Sequence, residues 1–174
     1  MSIEEFELLT ISVSLANAPS PTKSIRFQNL KLLKLCGFSF NTHSPKSPNY
    51  SQLQLSFPLL TKFETKNCAW FVDTTMVYIN APLLESISIE HDVDVPYNIV
   101  NSSIFFSSCL HLNEFSYCGC DIPQIILTRS PCHASAKIIL HEDQCYMLNE
   151  EVFSLLRNFS HAKFIKLEVS MVCM

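Results

Sequence analysis

Apolar and polar positions along this chain follow one short phrase, apolar-x-x-apolar-x-apolar, repeated with drift. Leu30, Leu33 and Leu35 carry the clearest copy (LKLLKL), and Leu60, Phe63 and Thr65 a weaker one (LTKFET). Leu84, Ile87 and Ile89 follow, then Leu112, Phe115 and Tyr117, and Phe164, Leu167 and Val169 close the series. The first residues of these copies stand 30, 24, 28 and 52 apart. The last interval spans two steps, so a further copy is expected near its middle, at Ser135, Ile138 and Leu140. Each phrase ends in period-two alternation, the signature of a strand with one buried face.

The intervening segments supply the rest of the plan. Residues 1 to 15 alternate as a strand through Ile11, Val13 and Leu15, and residues 16 to 24 read as a loop. Residues 41 to 52, rich in Ser, Pro and Asn, form a surface loop. Phe57-Pro58-Leu59-Leu60 and Ala81-Pro82-Leu83-Leu84 are near copies, each placing a proline just before a strand. Proline fixes φ and withholds a donor there. Ser108 to Leu112 takes the same place one repeat later. Trp70 to Ile79 and Val93 to Phe106 are expected to form short strands, turns or single helical turns. Glu150 to Asn158 is the best helix, with Val152, Phe153, Leu155, Leu156 and Phe159 on a broad apolar stripe.

A period in the twenties with this wording marks leucine-rich-repeat solenoids, whose repeats cannot bury their apolar faces alone. The expected fold is therefore α/β. It is a curved solenoid with about seven strands in a mostly parallel sheet, and short irregular or helical segments on the convex side. One such domain fits residues 1–174. Alternation turns the residues between the inward positions toward the concave side. Lys34, Glu64, Ser88, Ser116 and Glu168 lie there, with Lys62, Lys66, Ser86, Glu90, Glu114, Cys118 and Lys166 two places along. The candidate partner-binding set is Lys34, Glu64, Ser88, Glu90, Ser116, Lys166 and Glu168. The plain alternative is a solvated sheet face.

Composition narrows the function classes. Apolar residues make up 48% of 174, enough for one sizeable core. Net charge is −4 with no long basic run, so no nucleic-acid footprint is expected. Two glycines leave no Gly-rich phosphate loop, and both, Gly37 and Gly119, follow a strand phrase where a turn needs a permissive residue. Glu4, Glu5 and Glu7 stand where a secretory signal would be basic and apolar. No apolar run reaches the ~18 residues that cross a bilayer, so no membrane partner is expected. The eight cysteines then read as reduced thiols in a cytoplasmic or nuclear protein. The Asn-x-Ser sequons at Asn49, Asn101 and Asn158 read as chance matches left unmodified.

The phrases LKLLKLCGFSF, FPLLTKFETKNCAW, INAPLLESISIEHD and LHLNEFSYCGCDIP resemble the repeats of plant F-box/leucine-rich-repeat proteins, and Leu155 to Ser160 resembles the segment that introduces a late repeat there. The likeness runs along nearly the whole chain. It implies a right-handed solenoid, RNI-like in the manner of the FBD-type members. It also implies recruitment of a target protein to an SCF ubiquitin ligase, whose Skp-type adaptor docks on an N-terminal F-box. That box is a helical module of roughly 40 residues with its own core, and here the first strand opens at Ile3. A Skp-type adaptor is therefore expected as a partner only with an upstream F-box. Neither end looks capped, and the apolar stretch from Val169 to Met174 is expected to expose apolar surface. The chain reads as the target-binding repeat region of such a receptor, a fragment without end caps. A stand-alone scaffold or decoy is the alternative.

A third class is a small zinc-binding or thiol protein. Cys118, Cys120, Cys132, His133, His141 and Cys145 cluster in sequence, but Cys118-Gly-Cys120 has one intervening residue where structural zinc sites show two to four. No motif activates a thiol, and no His-Glu-x-x-His, Gly-x-Ser-x-Gly or Walker loop occurs. His91-Asp92 and His141-Glu142-Asp143 read as solvated turns, and Trp70 as core beside Phe63. No enzyme activity, cofactor or metal is expected.

Overall fold

The computed structural model describes residues 5–9, 12–14, 22–37, 39–41, 52–68, 76–92, 103–107, 109–119, 124–128, 131–142 and 150–171. Its strands are β1 (Glu5–Leu9), β2 (Ser12–Ser14), β3 (Thr22–Arg26), β4 (Leu32–Cys36), β5 (Ser39–Asn41), β6 (Gln52–Ser56) and β7 (Lys62–Lys66). They continue as β8 (Met76–Asn80), β9 (Ser86–Glu90), β10 (Ser103–Ser107), β11 (Glu114–Gly119), β12 (Gln124–Leu127) and β13 (Ser135–Glu142). Helix α1 (Glu150–Asn158) and β14 (Phe164–Met171) complete the order. One sheet has seven strands in the order β1-β4-β7-β9-β11-β13-β14, and a second has five, β12-β10-β8-β6-β3. A two-stranded pair, β2-β5, stands apart from both. Every strand pair is parallel. Successive coils thus lay one strand on the large sheet, cross over to the small sheet and return, which makes a solenoid.

Side-chain alternation explains the burial. On the large sheet Leu33, Phe63, Ile87, Phe115 and Ala136 form one buried row, and Leu35, Thr65, Ile89, Tyr117 and Ile138 a second. The small sheet answers with Leu53, Val77, Ile104 and Ile125, and with Leu55, Ile79, Phe106 and Leu127. The two sets meet in one core, where Phe63 stands edge-on to Phe106 with ring centroids 5.5 Å apart. Burying each such side chain contributes roughly 1.5–3 kcal/mol before the ordering entropy is counted.

The proline turns work as the sequence suggests. Leu60 N–H donates to Phe57 O (3.2 Å) and Leu84 N–H to Ala81 O (3.1 Å), closing turns with Pro58 and Pro82 at the second position. Leu112 N–H donates to Cys109 O across the matching turn. Leu60, Leu84 and Leu112 drop into the core from these turns, and Leu30 is buried with them.

Four details differ from the sequence reading. Residues 1–15 are not one strand: β1 and β2 join different sheets. The expected loop at 16–24 yields to β3 at Thr22. The second side of the solenoid is a regular five-stranded sheet rather than mainly irregular or helical, because QLQLS, MVYIN and SIFFS pack against their parallel neighbours in adjacent coils. The hidden copy exists as β13, two residues out of the expected register. Ala136 and Ile138, not Ile138 and Leu140, stand level with Phe115 and Tyr117. A slip of two keeps the same face inward, so hydrophobicity alone could not detect it. The same slip puts Phe164 on the outer face, level with Ser135.

Helix α1 replaces a sixth strand on the small sheet. Its last residue, Asn158, uses its side-chain amide to mimic a strand: Nδ2 donates to Ile125 O (2.7 Å) and Oδ1 accepts from Leu127 N–H (3.1 Å). The edge of β12 is thereby paired, and the sequon at Asn158 is engaged in packing. Asn49 and Asn101, like Trp70, lie outside the described residues.

Candidate functional site: the outer face of the seven-stranded sheet

Parallel pairing without bulges stacks outward side chains into three rows. The first holds Leu32, Lys62, Ser86, Glu114, Ser135 and Phe164, and the second Lys34, Glu64, Ser88, Ser116, Lys137 and Lys166. The third holds Cys36, Lys66, Glu90, Cys118, Ile139 and Glu168. All seven sequence-derived candidates are on this face: Lys34, Glu64, Ser88, Ser116 and Lys166 in the second row, Glu90 and Glu168 in the third. Lys137 completes the second row and was missed. The expected phrase, with Ile138 and Leu140 inward, puts Ile139 at the level that Lys137 occupies.

Size and charge vary across the face. Ser86, Ser88, Ser116 and Ser135 make a shelf of small hydroxyls on β9, β11 and β13. Glu114 stands between Ser86 and Ser135 and Lys137 beside Ser116, and further long charged side chains border the patch on β7 and β14. Lys62 Nζ lies 2.6 Å from Glu64, Lys66 Nζ 2.8 Å from Glu90 on the next strand, and Lys166 Nζ 2.5 Å from Glu168. These bonds raise the Lys62 and Lys66 ammonium groups above their usual range, through Glu64 and Glu90 respectively, and Lys166 holds the Glu168 carboxyl below its own. The charges are largely matched within the face, so they shape local contacts rather than a long-range field.

The strands end on a polar ledge. Gly37, Asn67 and His91 occupy equivalent positions, their N–H groups donating to Lys66 O, Glu90 O and Cys118 O. Gly37 and Asn67 adopt φ of 63° and 52°, which Gly and Asn tolerate best. Asn67 Nδ2 donates to Asp92 Oδ2 and its Oδ1 accepts from Asp92 N–H, both at 2.7 Å. The Asn67 bond, with Lys66 3.5 Å away, draws the Asp92 carboxyl down. His91 is no solvated turn: it is 3% exposed and packs beside the buried Tyr117, rings 6.3 Å apart. Gly119 needs space rather than an unusual φ, since a Cβ there would lie 2.8 Å from Tyr117 Oη and 3.0 Å from His91 Cβ.

Beside the ledge, Cys118 Sγ lies 3.1 Å from His141 Nε2. Burial, then Glu90, raises the Cys118 thiol, so it remains S–H at neutral pH, and it shares a hydrogen bond with the imidazole whose direction follows the His141 tautomer. A thiol held in that form is a poor nucleophile. Cys132 and His133 sit in the turn before β13, some 20 Å away along the strand. Cys120, Cys145 and Asp143 lie outside the described residues. Among the described residues no three Cys, His, Asp or Glu side chains form a metal-binding group. Likewise, no helix among them is long and apolar enough to cross a membrane. Comparison with protein-family models, curated proteins and solved structures finds no match for this chain.

Proposed function

We propose that this chain is a protein-recognition module, the target-binding leucine-rich-repeat region of an F-box-type SCF substrate receptor. The observation that carries the reading is a patch of small hydroxyls, Ser88 level with Ser116 and Ser86 and Ser135 on either side of Glu114, among paired Lys and Glu. Such a surface lets a partner's backbone come close while its polar groups find donors and acceptors. The family likeness of the phrases supplies the biological role. The chain's part is display on a rigid frame. Chemistry, including ubiquitin transfer, belongs to other subunits, and adaptor docking to an F-box. The free thiols of Cys36, Cys68, Cys109, Cys118 and Cys132 suit the reducing cytosol or nucleus.

The test is a quantitative pull-down from plant extract with the wild-type chain, a Ser88→Arg/Ser116→Arg variant and a Leu59→Ser control in a turn. Proteins retained by wild type and control but depleted roughly tenfold or more by the double variant would support the shelf as the recognition surface. Identical capture by all three would refute it.

A further inference from the structure

Strand β14 is an edge: among the described residues it pairs with β13 alone. An open edge presents unpaired N–H and C=O groups to any incoming strand. Here the side chains invite one. Ile165 and Leu167 point inward yet are 40% exposed, and Val169 is 57% exposed. Phe164 is exposed on the outer face, and Phe153 on α1 of the same coil. The order of residues decides which strand would fit. Laid antiparallel on itself about Leu167, the segment is self-complementary. Lys166 falls opposite Glu168 of the second copy, Glu168 opposite its Lys166, and Ile165 opposite Val169. The neighbouring registers fail. Centring on Lys166 or on Glu168 sets like charges against each other, and an odd shift turns the apolar side of one strand to the polar side of the other.

We propose that two copies of this chain pair antiparallel through β14, centred on Leu167, and so join their seven-stranded sheets. The contact is isologous and closes on itself, covering both apolar edges at once. It joins strands at the edge of the sheet, its charge pairs come from Lys166 and Glu168 at the border of the outer face, and it does not depend on the recognition reading.

Sedimentation velocity over a dilution series of the 174-residue chain tests this, with Lys166→Glu, Glu168→Lys and an equimolar mixture of the two. Both side chains are nearly half exposed, so the variants should fold, as far-UV circular dichroism will verify. The wild type should dimerise. Each variant alone sets like charges opposite and should associate about tenfold more weakly, and the mixture should recover the lost affinity because Glu then faces Lys at both pairs. A wild type that stays monomeric, growth into open-ended polymers, variants that associate like wild type, or a mixture that recovers nothing would each overturn the proposal. Amide exchange along β14 in the wild type gives a reading free of substitutions. Protection that rises with protein concentration supports the pairing, and exchange independent of concentration overturns it.

Discussion

Asn67 and Gly119 show how much a single position in this solenoid can carry. Asn67 combines a left-handed backbone with two side-chain bonds to Asp92. Asn67→Gly keeps the backbone and loses the bonds, whereas Asn67→Ala loses both, so Ala should cost roughly 1–2 kcal/mol more than Gly in denaturant unfolding. Gly119→Ala forces a methyl against Tyr117 and His91, both fully packed, and should cost about 1–3 kcal/mol. Thr65 points the other way. It occupies an inward position held by Leu35 and Ile89 in adjacent strands, and its buried Oγ1 has no hydrogen-bond partner among the described residues. Thr65→Val should therefore stabilise the chain, by about 1 kcal/mol, measured as a higher urea midpoint at unchanged slope. None of these roles was plain in the sequence. The drifted phrase marked Thr65 as a weak leucine, but the demand on Gly119 comes from His91 on another coil and from where the Tyr117 hydroxyl lies.

At the scale of elements, α1 is the part that departs from the repeat, and Asn158 is what makes the departure workable. Its amide pairs both a donor and an acceptor of β12. Asn158→Ala should cost about 1–3 kcal/mol. Asn158→Asp should be no milder, because a carboxylate would face the Ile125 carbonyl with no proton to give. Thermal melts of both variants decide this. An Asn158→Asp variant as stable as wild type would show that the donor is dispensable. The helix itself was legible from its apolar stripe. The β12 edge it completes was not, since hydrogen bonding across 33 residues leaves no periodic trace.

For the whole molecule, titration sets the pH window of stability. Asp92 and Glu168 have carboxyls lowered by Asn67 and Lys166. A lowered folded value adds stability above the unfolded value, lost as pH falls through the folded one, so the chain should weaken below about pH 4. Cys109 sets the alkaline side. Burial pushes its thiol from 9.0 to about 12. The folded chain keeps the proton where the unfolded chain releases it, so stability should decline as pH rises above about 9. Unfolding midpoints across the pH range test both limits, and Cys109→Ala should remove part of the alkaline fall. Exposure predicts thiol labelling as well: exposed Cys132 should react in the native state, and buried Cys68 and Cys109 only as the chain unfolds.

The sequence by itself determined the solenoid, its parallel sheet, the turns at Pro58 and Pro82, the helix at Glu150–Asn158 and the face that carries Lys34 to Glu168. These follow from local periods of two and 3.6 and from the chemistry of proline, which each segment expresses on its own. Tertiary structure alone decided the second sheet, the register of β13 and β14, the place of Lys137, the burial of His91 and the meeting of Cys118 with His141. Each depends on which residues of neighbouring coils stand level, and a shift of two residues preserves every hydrophobic pattern while changing every neighbour.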